Sequence, residues 1–251
     1  MSRHWLIALL ACPLLSGQQF AHYDIYRAAS PVVVDGKLDE PAWKQAPAAG
    51  DFHPVGDEPK VRQQTIVKLA WDDENLYLGY YCLDRRISAY ITERHGPVSQ
   101  DDCVELFLSP NPSKVRNYYT FEINAIGAML NRNRTDWWTG PPTWEPDGVQ
   151  YRTTWHGQAK KDVSNDDQHW IVEMAVPLRN FAKDAIHMPP ADGDEWRLNL
   201  NRLEGTEGVR QPREQPRTGL STWSPLPKEI RSFHSPDWFG WVRFVASAPP
   251  K

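Results

Sequence analysis

Cysteine is scarce in this chain, with 3 in 251 residues, and one of them, Cys12, lies near the N-terminus. Cys82 and Cys103 remain for the folded part, so at most one internal disulfide is available to it. Basic charge is not in excess either. Against 32 Asp and Glu stand 28 Lys and Arg, a formal net charge of −4, which leaves no electrostatic footprint for DNA or RNA. No apolar stretch has the length of a membrane span. The run from Leu6 to Leu15 is too short to cross a bilayer, and the mature protein is expected to have no transmembrane segment.

What is plentiful points one way. With 40% hydrophobic residues the chain can bury a substantial core, and 12 Trp, 22 Pro and 15 Gly favour many short strands joined by turns over a helical bundle. One all-β domain is expected over residues 22–251, preceded by residues 1–21. That leading stretch has Arg3 and His4, then the apolar run, then small and polar residues. It reads as a secretory signal, so the protein is expected to be secreted or periplasmic. Lipidation at Cys12 is the secondary reading, because Pro13 and the apolar pair behind it fit a lipoprotein box poorly.

The segment from Asp101 to Gly127 organises the rest. Asp101-Asp102-Cys103-Val104-Glu105-Leu106-Phe107-Leu108, a Pro-Asn-Pro-Ser turn, and Tyr118-Tyr119-Thr120-Phe121-Glu122-Ile123-Asn124 read as paired antiparallel strands. Alternation puts Val104, Leu106, Leu108, Tyr119, Phe121 and Ile123 on an apolar face. Glu105 and Glu122 then look out from the opposite side. The same period applied to Trp170–Pro177 and Trp196–Arg202 adds Glu173, Arg197, Asn199 and Asn201 to one polar sheet face, provided the strands are neighbours. Such a face offers the mixed donors and acceptors that sugar hydroxyls need. It is equally the composition of a solvated face laced with cross-strand ion pairs.

Elsewhere, Ser30–Val34 reads as a strand, Asp35-Gly36 as a turn, and Asp39-Glu40-Pro41-Ala42-Trp43 as a short helical turn capped by Asp39 that delivers Trp43 to a core. Gln64–Trp71 and Leu76–Cys82 form a hairpin about Asp72-Asp73-Glu74-Asn75. A Trp-rich loop holds Trp137, Trp138 and Trp144; its rings can stack on sugars or close the end of the fold. Gly205–Ser221 is polar, Arg-rich and Pro-broken, a loop by composition.

Taken in order, Val34-Asp35-Gly36-Lys37-Leu38-Asp39-Glu40 with Trp43, Trp71-Asp72-Asp73-Glu74-Asn75-Leu76-Tyr77, Asp102–Phe107, Tyr119–Asn124, Trp170–Pro177, Trp196–Arg202, Thr222-Trp223-Ser224 and His234–Gly240 resemble the family 9 carbohydrate-binding modules. The resemblance covers roughly residues 30 to 245. It implies an antiparallel β-sandwich of jelly-roll type with little helix, and a non-catalytic role in saccharide recognition. In the sugar-binding members two Trp side chains sandwich the sugar beside a strand Glu. By that likeness Trp223 is one sandwich Trp, Glu105 the strand Glu and Asn201 the amide. Glu122, Asn199, Arg202 and Trp138 complete the candidate carbohydrate-binding set. Two departures are visible: Ser99 stands where the second Trp belongs, and Glu122 where an Arg is used.

The resemblance also sets the other expectations. Family 9 modules accompany separate catalytic domains, so a glycoside hydrolase is the expected partner. A chain-borne hydrolase would need two of Glu105, Glu122 and Glu173 at catalytic spacing. No cofactor is required, although relatives carry structural calcium, for which Asp72-Asp73-Glu74 and Asp162–Asp167 supply oxygen ligands without EF-hand spacing. Other relatives bind haem; Met129, Met174, His156 and His169 would be the axial candidates, without any Cys-x-x-Cys-His run. A degenerate site in a surface-interaction domain is the alternative function.

Overall fold

The computed structural model describes residues 20–85, 87–133, 144–156, 169–204 and 219–247. Its strands are β1 (His22–Arg27), β2 (His53–Pro54), β3 (Thr65–Trp71), β4 (Asn75–Leu83), β5 (Cys103–Ser109), β6 (Tyr119–Asn124), β7 (Met129–Asn133), β8 (Gln150–His156), β9 (His169–Pro177), β10 (Glu195–Leu203), β11 (Leu220–Thr222) and β12 (Gly240–Val245), with one short helix, α1 (Pro41–Gln45).

These strands form one curled sheet in the order β7-β6-β5-β10-β12-β1-β3-β4-β9-β8, with β11 joining β10 to β2. The expected two-sheet antiparallel sandwich is corrected in this respect. The sheet is continuous and mixed, because β1 enters between β12 and β3 and runs parallel to both, while the other pairings are antiparallel. Curling brings the far ends together into a half-barrel. Tyr80 of β4 donates its hydroxyl to the Glu105 carbonyl of β5 at 2.9 Å, and Tyr151 of β8 reaches the Gly127 carbonyl after β6 at 3.2 Å.

The period-2 pattern decides what fills the interior. Val104, Leu106 and Leu108, Tyr119, Phe121 and Ile123, Trp170, Val172, Met174 and Val176, and Trp196, Leu198 and Leu200 all belong to one main core on the concave side. Trp144 closes one end of it, its ring 4.8 Å from Tyr119 and 5.5 Å from Phe121. Ser30–Val34 forms no strand. Val33 there is largely exposed, so the apolar run never acquires a ladder partner. Helix α1 has Glu40 rather than Asp39 at its N-cap, with no side-chain cap bond.

The convex face is covered at both ends. At the β9 end, Trp43 of α1 is fully buried over Tyr77 and Ala175. Its indole N–H donates to Glu173 Oε1 at 2.8 Å, and Glu173 Oε2 accepts the Asp35 and Gly36 amides at 2.9 and 2.8 Å. Gly36 sits at φ 86°, and a Cβ there would meet Thr154 Cγ2 at 2.5 Å, so this turn needs glycine. At the β5–β6 end a second core of Val55, Ile91, Val98, Phe107, Phe233 and Phe239, among others, overlies the sheet. That is why every residue of β5 and β6 is buried on both faces.

Cys82 and Cys103 are buried thiols with no disulfide between them. They belong to the concave and convex cores respectively, so the sheet lies between them and no bridge forms. Burial pushes the Cys82 thiol up to about 12, against the pull of Arg202.

Candidate functional site

The convex surface of β5, β6, β10 and β11 carries the polar residues that the sequence pattern singled out. Antiparallel register sets Asn201 opposite Glu105, Glu105 opposite Glu122, and Asn201 opposite Thr222. Directly opposed residues share a face at close Cβ spacing, so Thr222, Asn201, Glu105 and Glu122 form one row across four strands. Thr222 Oγ1 donates to Asn201 Oδ1 at 2.8 Å, and Asn201 Nδ2 donates to Glu105 Oε2 at a long 3.4 Å. The row is polarised from a hydroxyl through an amide to two carboxylates.

One step along the strands lies a second row, Asn199, Phe107 and Thr120. Asn199 Oδ1 accepts the Ser224 amide at 2.9 Å and the Leu200 amide at 3.0 Å. Asn199 Nδ2 and Thr120 Oγ1 are buried with no hydrogen-bond partner, which is uncommon for enclosed polar atoms. Phe107 between them is stacked on His234 at 4.6 Å, and Tyr118 shares a 3.2 Å hydrogen bond with the same imidazole.

The rows are not open to solvent as the sequence pattern suggested. Exposure is 3% for Glu105, 6% for Glu122 and 0% for Asn201. Asp101 and Asp102 supply the reason. Asp101 Oδ2 accepts the amides of Tyr90 and Ile91 at 3.0 and 2.8 Å, and Asp102 Oδ2 accepts the Ser88 amide. The paired aspartates that open the motif therefore clamp the chain around residues 88–91 beside the row, and Ile91 and Val98 pack into the covering core.

Glu105, Glu122, Asn199 and Asn201 are thus brought together, while four other expected residues are placed elsewhere. Trp223 is 2% exposed and belongs to the main core; its indole N–H donates to the Ala49 carbonyl. Alternation explains this, because Thr222 points outward onto Asn201 and its neighbour must point in. Arg202 likewise faces the concave side, fully buried with Asp84 at 2.9 Å and Glu204 at 3.4 Å, over the Trp170 ring. Arg197 shares the outer face, but its Nε donates to the Phe239 carbonyl at 2.9 Å and its guanidinium lies between the Phe20 and Trp241 rings. Glu173 is on β9, five strands from β10 in the sheet order, and is held by Trp43 and the Asp35-Gly36 turn. Ser99 lies in a 3-10 turn, Val98–Gln100. Trp137, Trp138 and Asp162–Asp167 lie outside the described residues.

Thr222 was missed by sequence reasoning, which weighed Trp223 instead. The signal was present in Thr-Trp-Ser, where alternation decides which side chain reaches the polar row.

The calcium and haem candidates find other surroundings. Asp72 accepts the Glu74 and Asn75 amides at 2.8 Å each and the Tyr77 hydroxyl at 2.7 Å, and Asp73 pairs with Arg27. That turn is committed to its own geometry and does not fit a calcium ion. Among the described residues no cluster of three or more His, Cys, Asp and Glu could hold a metal. Met129 and Met174 are core residues, and His156 and His169 stack on each other at 5.6 Å. Among the described residues no helix is long and apolar enough to cross a membrane.

Several solved structures resemble this fold, three of which are as follows. A protein of Bacteroides uniformis described as carbohydrate-binding matches at 20% identity and a TM-score of 0.67, over 90% of this chain and 100% of its own. A family 9 carbohydrate-binding module of Caldicellulosiruptor kristjanssonii in complex with cellotriose matches at 14% identity and a TM-score of 0.61, over 90% of this chain and 95% of its own. A family 9 module from the same organism in complex with glucose matches at 15% identity and a TM-score of 0.60, over 91% and 98%. At these identities the likeness is one of fold. No curated protein sequence matches the chain significantly. The sequence pattern of carbohydrate-binding family 9 matches residues 54–244, from β2 to β12 and through every strand of the polar row, and the chain belongs to that family.

Proposed function

We propose that this protein binds a saccharide and does not transform it. The observation that carries the reading is the Thr222, Asn201, Glu105 and Glu122 row, fixed in register across four strands of a carbohydrate-binding family 9 chain. The row is buried beneath the second core, so a saccharide meets it once the covering segment around residues 88–91 moves aside; rigidly held amide and carboxylate groups then fix the orientation of its hydroxyls. The family 9 modules of C. kristjanssonii, solved with cellotriose and with glucose, support a glucan as the first class to try. The N-terminal apolar run supports export, and an accessory role beside separate glycoside hydrolases is the matching physiology.

A second reading has its own observation. Trp223 is 2% exposed, so it offers no stacking surface as it stands, and a structural or surface-interaction domain that keeps the fold without the sugar site accounts for that. Calorimetric titration with glucose, cellobiose, xylobiose and soluble xylan separates the two. Binding that falls at least about tenfold, or about 1.4 kcal/mol, in Asn201→Ala and Glu105→Gln supports the first reading. Folded protein that takes up none of these sugars supports the second, and binding that both variants retain in full places the sugar away from this row.

A further inference from the structure

Between its two covers, the convex face is open at the start of β10 and across β12 and β1, where Glu195, Arg243 and His22 are exposed. A cavity of about 240 Å³ opens there, lined by His22, Asp24, Glu195, Trp241 and Arg243 among others. Two register rows build it. Glu195, Arg243 and Asp24 are directly opposed across the three strands, as are Arg197, Trp241 and His22.

We propose that this groove is a second saccharide-binding site, taking one neutral pyranose ring against Trp241 with its hydroxyls on Asp24, Arg243 and Glu195. Trp241 is held in place because the Arg197 guanidinium lies 4.5 Å from its ring centroid. A ring covered on one face by a cation is fixed in orientation, and the indole borders the groove, where an aromatic edge suits the C–H face of a sugar. Arg243 and Asp24 form a fork, Nε to Oδ1 at 3.0 Å and Nη2 to Oδ2 at 2.7 Å. Two of the five guanidinium N–H groups are used there and three remain to donate, while the carboxylate keeps further lone pairs to accept. Glu195 acts on Arg243 through space and adds a second acceptor across Arg243 from Asp24. Every group sits on a strand of the sheet, so the geometry is rigid before any ligand arrives.

Size and charge narrow the ligand class. The volume equals that of about eight waters, enough for one sugar ring of about a dozen non-hydrogen atoms. Asp24 and Arg243 cancel, as do Glu195 and the Arg197 guanidinium over Trp241, which leaves the groove near neutral and suits an uncharged ring better than phosphate, sulfate or a uronic acid. The groove is independent of the Glu105 row. Trp241 pairs with Arg197 and Glu105 with Asn201, four residues along β10 and two strands across, a separation of roughly 16 Å.

The test is a heteronuclear NMR titration with cellobiose, reading the Trp241 indole N–H and the Arg243 Nε–H. It is run on the wild-type protein, on Glu105→Gln/Asn201→Ala, on Asp24→Asn/Glu195→Gln and on Trp241→Ala. Both signals should move in a saturable way in the wild type, with a dissociation constant on the order of millimolar, and move equally in Glu105→Gln/Asn201→Ala. Affinity read at Arg243 should fall at least about tenfold in Trp241→Ala. The surface-lying isosteres Asp24→Asn/Glu195→Gln, which keep the fold, should weaken it about fivefold. Static signals in the wild type, movement lost in Glu105→Gln/Asn201→Ala, or stronger movement with sulfate than with cellobiose would each overturn the second site. Movement at Trp241 in a protein whose Glu105 row binds nothing would leave this site standing and remove the other.

Discussion

Glu173 and Glu105 occupy equivalent positions in the sequence pattern, each an outward carboxylate between apolar neighbours on a strand, and both are buried under a cover on the same convex face. Their surroundings differ in kind. Glu173 is enclosed by donors from a single cap, the Trp43 indole and the Asp35 and Gly36 amides, at 2.8–2.9 Å. Glu105 receives Asn201 at 3.4 Å within a polar row, and the neighbouring row leaves Asn199 Nδ2 and Thr120 Oγ1 without partners. One carboxylate fastens a lid; the other lies in a row that crosses four strands, beside a row with two enclosed polar atoms that lack partners. Burial alone therefore does not distinguish the two acids, whereas their neighbours across the sheet do.

Replacing each carboxylate by its amide tests that distinction, with the largest effect expected at Glu173. In Glu173→Gln the amide NH2 must face either the indole N–H or the two backbone N–H groups, so a donor meets a donor whichever way it turns. Leaving buried polar groups unpaired in this way should cost roughly 2–4 kcal/mol. Trp43→Ala, which also empties the space beneath α1, should cost about 3–5 kcal/mol. Urea unfolding monitored by circular dichroism measures both, and a loss under about 1 kcal/mol in Glu173→Gln would mean that the cap does not depend on this acid.

Glu204 gives an intermediate case on the concave side. Burial raises its carboxyl to about 7 from the ordinary 4.5, outweighing the nearby Arg202 and assisted by Asp84. A raised acid binds its proton more tightly folded than unfolded, so the stability it contributes is greatest at low pH. That contribution declines as pH rises from about 4.5 to about 7, by a few kcal/mol at most. Glu204→Gln should flatten this part of the stability profile and leave the protein more stable than the wild type at pH 8. Parallel profiles for the two proteins between pH 5 and pH 8 would show that Arg202 holds Glu204 ionised throughout.

Much of this was legible in the sequence, and the limits of legibility are themselves physical. Alternation assigned inward and outward residues correctly on β5, β6, β9 and β10, because a pleated strand leaves no other choice. It could not say which strands are neighbours. Glu173 joined the polar face on paper and lies five strands from β10 in the sheet. Nor could it foresee that a second core would cover the face, since Ile91, Val98, Phe233 and Phe239 come from irregular segments without periodicity. The parallel insertion of β1 depends on long-range pairing that its own residues do not encode. Trp223 and Arg202 were drawn toward the site by motif position, whereas the alternation that placed Asn201 outward points Arg202 inward.

The smallest stability effect is expected at Glu105, where the contrast with Glu173 is sharpest. Glu105→Gln keeps an oxygen for Asn201 Nδ2, and the Glu105 carbonyl that accepts the Tyr80 hydroxyl is untouched. The change also removes one of two acidic side chains set directly opposite each other with Glu122, a pairing that disfavours the sheet when both are ionised. These effects oppose one another, and the net change should stay within about 1 kcal/mol. The same substitution should weaken saccharide binding about tenfold or more, since a carboxylate accepts hydroxyl protons more strongly than an amide. A double-mutant cycle with Glu122→Gln, read by urea unfolding and by sugar titration on the same samples, separates the two quantities. Favourable coupling in stability without coupling in binding would make the Glu105 row a fastening like Glu173 and return the fold to a structural role.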